Sequence, residues 1–333
     1  MLSRLRTAIL LTTTILLSTL MCGCKERSRY IEIQGEALGT FVQVKCNTAL
    51  PTETISNIIQ EVDNESKMSM SIFSPTSLLS RINHNETDSL DSHITRNIEL
   101  AQRFSELSDG AYDITIKPLT DALGFGRYEA NMSVNIDSIL EFVGYDLITI
   151  EEGRIRKRDS RVEIDLNSIA KGYTVDLIAE RLEKLDIEDY MVNIGGEIRC
   201  KGYNARSERW SIAIETPYDG NMAMDSFEKI VHVANKAVAT SGNYRRYYLT
   251  EDGQKVAHTI DPKTGRSAVS TLLSATVIAP TCAEADAAAT MFMSLGATGD
   301  AERVANFCHE EYGWDYYFIF AEGDDYNIVS SKR

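Results

Sequence analysis

Strand-like and helix-like runs follow one another along this chain without the regular strand–helix–strand rhythm of a doubly wound parallel sheet, and that order predicts an α+β fold. Residues 31–46 read as strands. Ile31 and Ile33 alternate, and Phe41, Val42 and Val44 resume after the Leu38-Gly39-Thr40 break. Ile55, Ile58, Ile59 and Val62 recur at helical spacing behind a Pro51-Thr52 start signal. Helices are also expected over 95–107, ending at Gly110, and over 169–185, with Ile178, Leu182 and Leu185 on one stripe. An alanine-rich helix is expected over 282–295. Strand-like runs surround residues 190–198, 210–214, 230–240 and 272–279, and Phe318-Ile319-Phe320 makes a late strand. No internal repeat and no Pro- or Ser-rich linker divides the chain, so residues 30–333 are expected to form one unit.

The N-terminus has a different character. Arg4 and Arg6 precede an apolar run over residues 8–20, which is too short to span a bilayer comfortably. The run ends in Leu20-Met21-Cys22-Gly23-Cys24 and resembles a bacterial lipoprotein signal, in which the cysteine after a small residue is acylated. Cys24 fits better than Cys22, because bulky Met21 would occupy the small-residue position before Cys22. The expectation is a cleaved signal over 1–23, lipid on Cys24, and a polar tether over 24–29 that places the protein on a membrane, facing the periplasm or cell exterior.

Asp and Glu number 49 against 34 Lys and Arg, and no basic patch is evident, which argues against a nucleic-acid partner. Cys46, Cys200, Cys282 and Cys308 are spaced too widely for a zinc or redox pattern and are expected to be buried thiols. His84, His93, His232, His258 and His309 show no ligand spacing. Met68 and Met70 near Phe73 read as core.

Three segments crowd small and polar residues beyond what packing requires. In the first, Asp165-Leu166-Asn167-Ser168 precedes a helix whose opening turn carries Lys171. Unpaired N–H groups at a helix start favour phosphate, and Lys171 adds charge; alternatively Asp165 or Ser168 is a cap and Lys171 a solvated lysine. The second joins Thr240-Ser241-Gly242-Asn243-Tyr244 to His258, beside an Asp261-Pro262-Lys263-Thr264-Gly265 turn, with Asp252-Gly253 as a hairpin signal. A histidine there is an acid–base candidate, although turn geometry alone would also explain the pattern. In the third, Thr281 to Thr290, Asp286 and Thr290 share one helical face. They offer hard oxygen donors suited to Mg²⁺, or merely a polar helix face. Asn193-Ile194-Gly195-Gly196-Glu197 is either a close approach of backbone to ligand or a bulge, and lacks the dinucleotide-binding glycine spacing.

These segments, in this order, resemble the ApbE family of flavin transferases. The resemblance also takes in Ser77-Leu78-Leu79-Ser80-Arg81-Ile82-Asn83, Tyr112-Asp113-Ile114-Thr115 with Pro118-Leu119, and Gly124-Phe125-Gly126. It implies a T-fold-related architecture of mixed sheets and flanking helices, with FAD in a cleft between subdomains. By similarity, Leu38, Phe73, Ala111, Tyr112, Asp113, Asp165, Lys171 and Ile260 contact FAD. Ser168, Asp286 and Thr290 match positions around Mg²⁺, and His258 and Asp286 are the catalytic candidates. The family usually has Met where this chain has Leu38, and often Tyr where it has Phe73; both keep an apolar wall, but Phe73 lacks the hydroxyl. The implied reaction is Mg²⁺-dependent transfer of FMN from FAD to a Thr or Ser hydroxyl of an exported electron-transfer flavoprotein subunit, with release of AMP. Hydrolysis of FAD to FMN and AMP, and simple binding of FAD by a lipoprotein, are the competing expectations.

Overall fold

A computed structural model describes residues 29–126, 134–217, 227–243, 247–249, 255–268, 270–323 and 325–331. The signal segment, Cys24 and the tether up to residue 28 lie outside the described residues, as do Tyr244 and the Asp252-Gly253 hairpin signal.

Eight strands form one antiparallel sheet in chain order: β1 (Arg29–Ala37), β2 (Thr40–Thr48), β3 (Tyr190–Ile194), β4 (Glu197–Lys201), β5 (Lys236–Gly242), β6 (Leu272–Ala279), β7 (Asp315–Glu322) and β8 (Asp325–Ser330). The Leu38-Gly39 break is a two-residue hairpin turn between Ala37 and Thr40, with φ of 52° and 74°. Those positive angles match the twist of the flanking strands. The run over 190–198 is divided by the Gly195-Gly196 turn, and the run over 230–240 is divided into two strands of different sheets. In the latter, Phe227–Val233 pairs with Trp210–Glu215 as a separate hairpin, whereas β5 joins the main sheet.

The helices are α1 (Thr52–Met70), α2 (Leu78–Asn83), α3 (Ser92–Leu107), α4 (Lys117–Ala122), α5 (Ile136–Leu140), α6 (Ala170–Glu183), α7 (Cys282–Leu295) and α8 (Ala301–Tyr312). Helix α3 starts three residues before the apolar periodicity suggests, because Asp91 caps it by accepting from the Ile94 N–H at 2.8 Å. Only α1, α3, α6 and α7 have counterparts in the sequence expectations; the other four are unforeseen.

Alternation along the strands sends side chains to two cores. Tyr190 and Val192 join the main core beneath α6 and α7, while Met191 joins a second cluster with Trp210, Ile212, Val231 and Val233 under the separate hairpin. Strand β6 serves both, which explains its nearly unbroken apolar run. Helix α7 is buried almost all round, only Glu284 and Thr290 being partly exposed, as expected for a helix with no polar face. A third, smaller cluster gathers Leu119, Ala122, Phe125, Ile139 and Ile260. Cys46, Cys200, Cys282 and Cys308 are buried free thiols. Met70 is core, but Met68 and Phe73 are 69% and 53% exposed.

Candidate active site

A cavity of about 300 Å³ opens between the main core and the third cluster. Four stretches of chain wall it.

The first follows α3. Asp109 and Gly110 take φ of 51° and 78° to turn the chain, and the Gly110 N–H donates to the Ser105 carbonyl at 2.7 Å. This delivers Ala111, Tyr112 and Asp113 to the cavity wall. The Tyr112 hydroxyl lies 2.8 Å from the Ser168 hydroxyl, and burial drives its ionisation well above the ordinary tyrosine range. Asp113 accepts from both the N–H and the hydroxyl of Thr115 at 2.7 Å, yet burial still pushes its carboxyl up to about 6.

The second is the approach to α6. Asp165 accepts from the Asn167 N–H at 2.8 Å and so closes a turn. Neither Asp165 nor Ser168 caps the helix; its first flanking residue is Ile169, with no side-chain cap. Burial holds the Asp165 carboxyl above its usual range. Lys171 is not simply solvated: its ammonium lies 2.9 Å from a carboxylate oxygen of Glu197, on β4 just past the Gly195-Gly196 turn. Burial works against that positive charge, but Glu197 and then Asp286 override it and hold the lysine above its ordinary range.

The third wall is α7 against β5. Asp286 and Thr290 both line the cavity, one helical turn apart. The Thr290 and Ser241 hydroxyls are 3.2 Å apart, and Asp286 accepts from the Gly172 N–H at 2.9 Å. The Asp286 carboxyl is pushed up to about 8, first by burial and then by Glu197, with Lys171 and the Gly172 N–H pulling the other way. Behind it, Asp176 of α6 accepts from the Cys282 and Ala283 N–H groups at 2.9 Å each, and pairs with Arg199 at 2.8 Å. Thr281 caps the same helix start, its hydroxyl accepting from the Glu284 N–H at 3.3 Å and donating to the Glu284 carboxylate at 2.9 Å.

The fourth wall is the His258-Thr259-Ile260 segment. Ile260 and Asp261 pair with Ser267 and Arg266, so the Asp-Pro-Lys-Thr-Gly stretch is the turn its composition suggests. Gly265 sits at φ 65°, where a β-carbon would lie 2.3 Å from Ile136 Cγ2. His258 lines the cavity with its ring edge-on to Phe125, 6.4 Å between centroids.

Ten of the expected residues therefore share one cavity: Ala111, Tyr112, Asp113, Asp165, Ser168, Lys171, His258, Ile260, Asp286 and Thr290. Leu38 and Phe73 do not line it. Leu38 is in the β1–β2 turn, its N–H donating to Asp63 at 2.7 Å, and Phe73 is exposed beyond the end of α1. Glu197 also lines the cavity, and its motif assigns it no role from sequence, although an acid directly after Gly-Gly is the available signal. Thr120, Phe125 and Pro262 also line the cavity; Phe125 and Pro262 fall within the Gly124-Phe125-Gly126 and Asp261-to-Gly265 motifs without a role of their own, and no spacing pattern points to Thr120.

The ApbE family model matches residues 38–313 of the chain. A Vibrio cholerae protein named FAD:protein FMN transferase is 34% identical over 292 residues, 83% of this chain and 85% of that one. A Haemophilus influenzae protein of the same name is also 34% identical, over 83% and 84% of the two chains. The solved flavin transferase ApbE from Vibrio cholerae superposes with a TM-score of 0.81 at 30% identity, covering 91% of this chain and 97% of its own. The apo form of the Pseudomonas stutzeri flavinyl transferase ApbE gives a TM-score of 0.80 at 27% identity, covering 92% and 95%.

Proposed function

This chain belongs to the ApbE family, and on that footing we propose that it moves the FMN half of FAD onto a Thr or Ser hydroxyl of another protein and releases AMP. The observation that carries the reading is the convergence in one cavity of an ammonium, Lys171, and two oxygen donors a helical turn apart, Asp286 and Thr290, opposite His258 and Ile260. A dinucleotide needs such a combination: positive charge for its diphosphate and apolar or hydrogen-bonding surface for its ends.

The donor set suits Mg²⁺. Asp286 is a buried carboxylate beside a second acid, so a divalent cation would relieve the repulsion that raises its proton affinity. Among the described residues no group of three or more His, Cys, Asp and Glu side chains forms a cage. Mg²⁺ requires none, since it keeps waters and phosphate oxygens as ligands. Asp286, Thr290 and Ser168 are the residues that would hold it, and when bound it neutralises charge building on the phosphates in transfer.

The protein's own groups have definite tasks in this reading. Lys171, in the opening turn of α6, would add its ammonium to the diphosphate once Mg²⁺ is in place. Ala111, Tyr112 and Ile260 flank the bound dinucleotide, with Tyr112 also fixing Ser168 through their hydroxyl contact. As the acceptor oxygen bonds to the FMN phosphorus, the bond from that phosphorus to the AMP oxygen breaks. The acceptor proton passes to a base, for which His258 is the first choice and Asp286 and Asp165 are competitors. His258 is favoured because its ring lines the cavity and imidazole nitrogen can accept a proton.

The chain is also proposed to be a lipoprotein anchored through Cys24, its acceptor being an exported or membrane respiratory flavoprotein subunit. The signal-like N-terminus supports export.

The deciding experiment mixes residues 25–333 with FAD, MgCl₂ and a purified acceptor protein carrying an exposed Ser/Thr-Gly-Ala-Thr segment. Flavin fluorescence on the denatured acceptor band establishes transfer. Free FMN and AMP with an unlabelled acceptor would instead make the protein a hydrolase, and intact FAD would make it a binder.

A further inference from the structure

Glu197 lies within the cavity wall without a task in the reaction as described. Two left-handed glycines, Gly195 at φ 59° and Gly196 at φ 106°, turn the chain immediately before it. Its side chain is 5% exposed, and its carboxylate lies 2.9 Å from the ammonium of Lys171, whose own side chain is 35% exposed. Lys171 thus has one end of its field committed to an internal counter-ion while remaining open to the cavity.

A phosphate entering this cavity meets no uncommitted cation at Lys171. It must share the ammonium with Glu197 or draw it away, and drawing it away breaks a largely buried ion pair, which is costly. The Glu197 carboxylate already offsets the charge of the ammonium, so the pair leaves no surplus positive charge for a doubly charged diphosphate.

We propose that Glu197 withholds Lys171 from the FAD diphosphate and thereby makes FAD binding conditional on a divalent cation. Glu197 is a positioning residue, acting through Lys171 rather than on the reacting atoms. The device prevents metal-free FAD from occupying a site that cannot turn it over. This inference rests on the proposal that the cavity binds FAD.

The test is calorimetric titration of FAD into the protein in EDTA and in MgCl₂. Wild type is expected to bind FAD far more tightly with Mg²⁺. Glu197→Gln should tighten metal-free binding about ten-fold, the worth of one released charge-assisted contact, and shrink the gain from Mg²⁺. Glu197→Asp, with its shorter carboxylate, should change binding in the same direction by less, and serves if the glutamine variant does not fold. Adding Lys171→Ala to Glu197→Gln should cancel the gain, because the gain belongs to Lys171. Metal-free affinity in Glu197→Gln no better than wild type, or affinity lost equally with and without Mg²⁺, would overturn the inference while leaving FAD binding intact. A wild-type protein that ignores FAD even with Mg²⁺ would remove the functional reading and this inference with it.

Discussion

The backbone N–H of Gly172 on α6 donates to Oδ2 of Asp286 on α7 at 2.9 Å, and the helices approach so closely that a β-carbon on Gly172 would lie 2.3 Å from the Cys282 carbonyl oxygen. The contact joins the segment bearing Lys171 to the helix bearing Asp286 and Thr290. The glycine therefore fixes how closely the segment bearing Lys171 approaches the helix bearing Asp286 and Thr290.

Gly172→Ala should force α6 and α7 apart. Such overpacking costs about 1–3 kcal/mol, readable as a lower urea midpoint, and the displaced Asp286 should cut FMN transfer more than it cuts FAD binding. An unchanged midpoint with full transfer would show that the helices have slack at this crossing.

Asp176 secures the same crossing from behind, taking two N–H groups of α7 and the Arg199 guanidinium on a side chain with 6% exposure. Asp176→Ala leaves two α7 N–H groups without their acceptor and breaks the pair with Arg199, which retains Glu183 at 3.4 Å, and should cost about 3–5 kcal/mol. Asp300→Ala, which breaks an exposed pair with Arg303, should barely move the midpoint. Equal effects of the two substitutions would contradict the assigned role of Asp176.

Stability should depend on pH through Asp113. Its carboxyl titrates near 3.8 in the unfolded chain and at about 6 in the folded one. Between those values the folded protein retains a proton that the unfolded chain has released, so stability falls as pH rises from about 4 to 6, by about 3 kcal/mol from this group. Asp113→Asn keeps the oxygen that Thr115 donates to and removes the titration. Denaturant melts at pH 4 and pH 6.5 should show a shallower fall in the variant, and identical slopes would refute the assignment.

Cys24→Ser should move the protein from the membrane fraction to the soluble fraction and abolish labelling by a fatty-acid probe. Labelling that persists in this variant would place the lipid on another residue.

Much of the fold was legible where local chemistry and tertiary burial agree. Helix α7 was bounded correctly at 282–295 because Thr281 caps it by accepting from the Glu284 N–H and Leu295 precedes Gly296. Helix α8 escaped notice despite a clear amphipathic face; it has no side-chain cap, and its left-handed Gly313 stop follows a polar run. The division of residues 230–240 was hidden because both halves are apolar strands, and only the sheet assignment separates them. Spacing offered Asp165 and Ser168 as caps, whereas the chain bends Asp165 into its own turn and gives Ser168 to Tyr112. Glycine at 172 read as ordinary helix sequence, since the need for it comes from a partner 110 residues further along the chain. Glu197 was missed as a site residue for the same reason: its partner, Lys171, is brought near by the β3–β4 turn rather than by spacing.

The central claim is that, with Mg²⁺ present, Lys171, Asp286 and Thr290 together grip the diphosphate of FAD. Isothermal titration of FAD into residues 25–333 with MgCl₂ tests it most directly, comparing wild type with Asp286→Ala. The account predicts saturable one-to-one binding in wild type that is strongly weakened in the variant. Equal FAD affinity in the two proteins, or none in wild type, would contradict it.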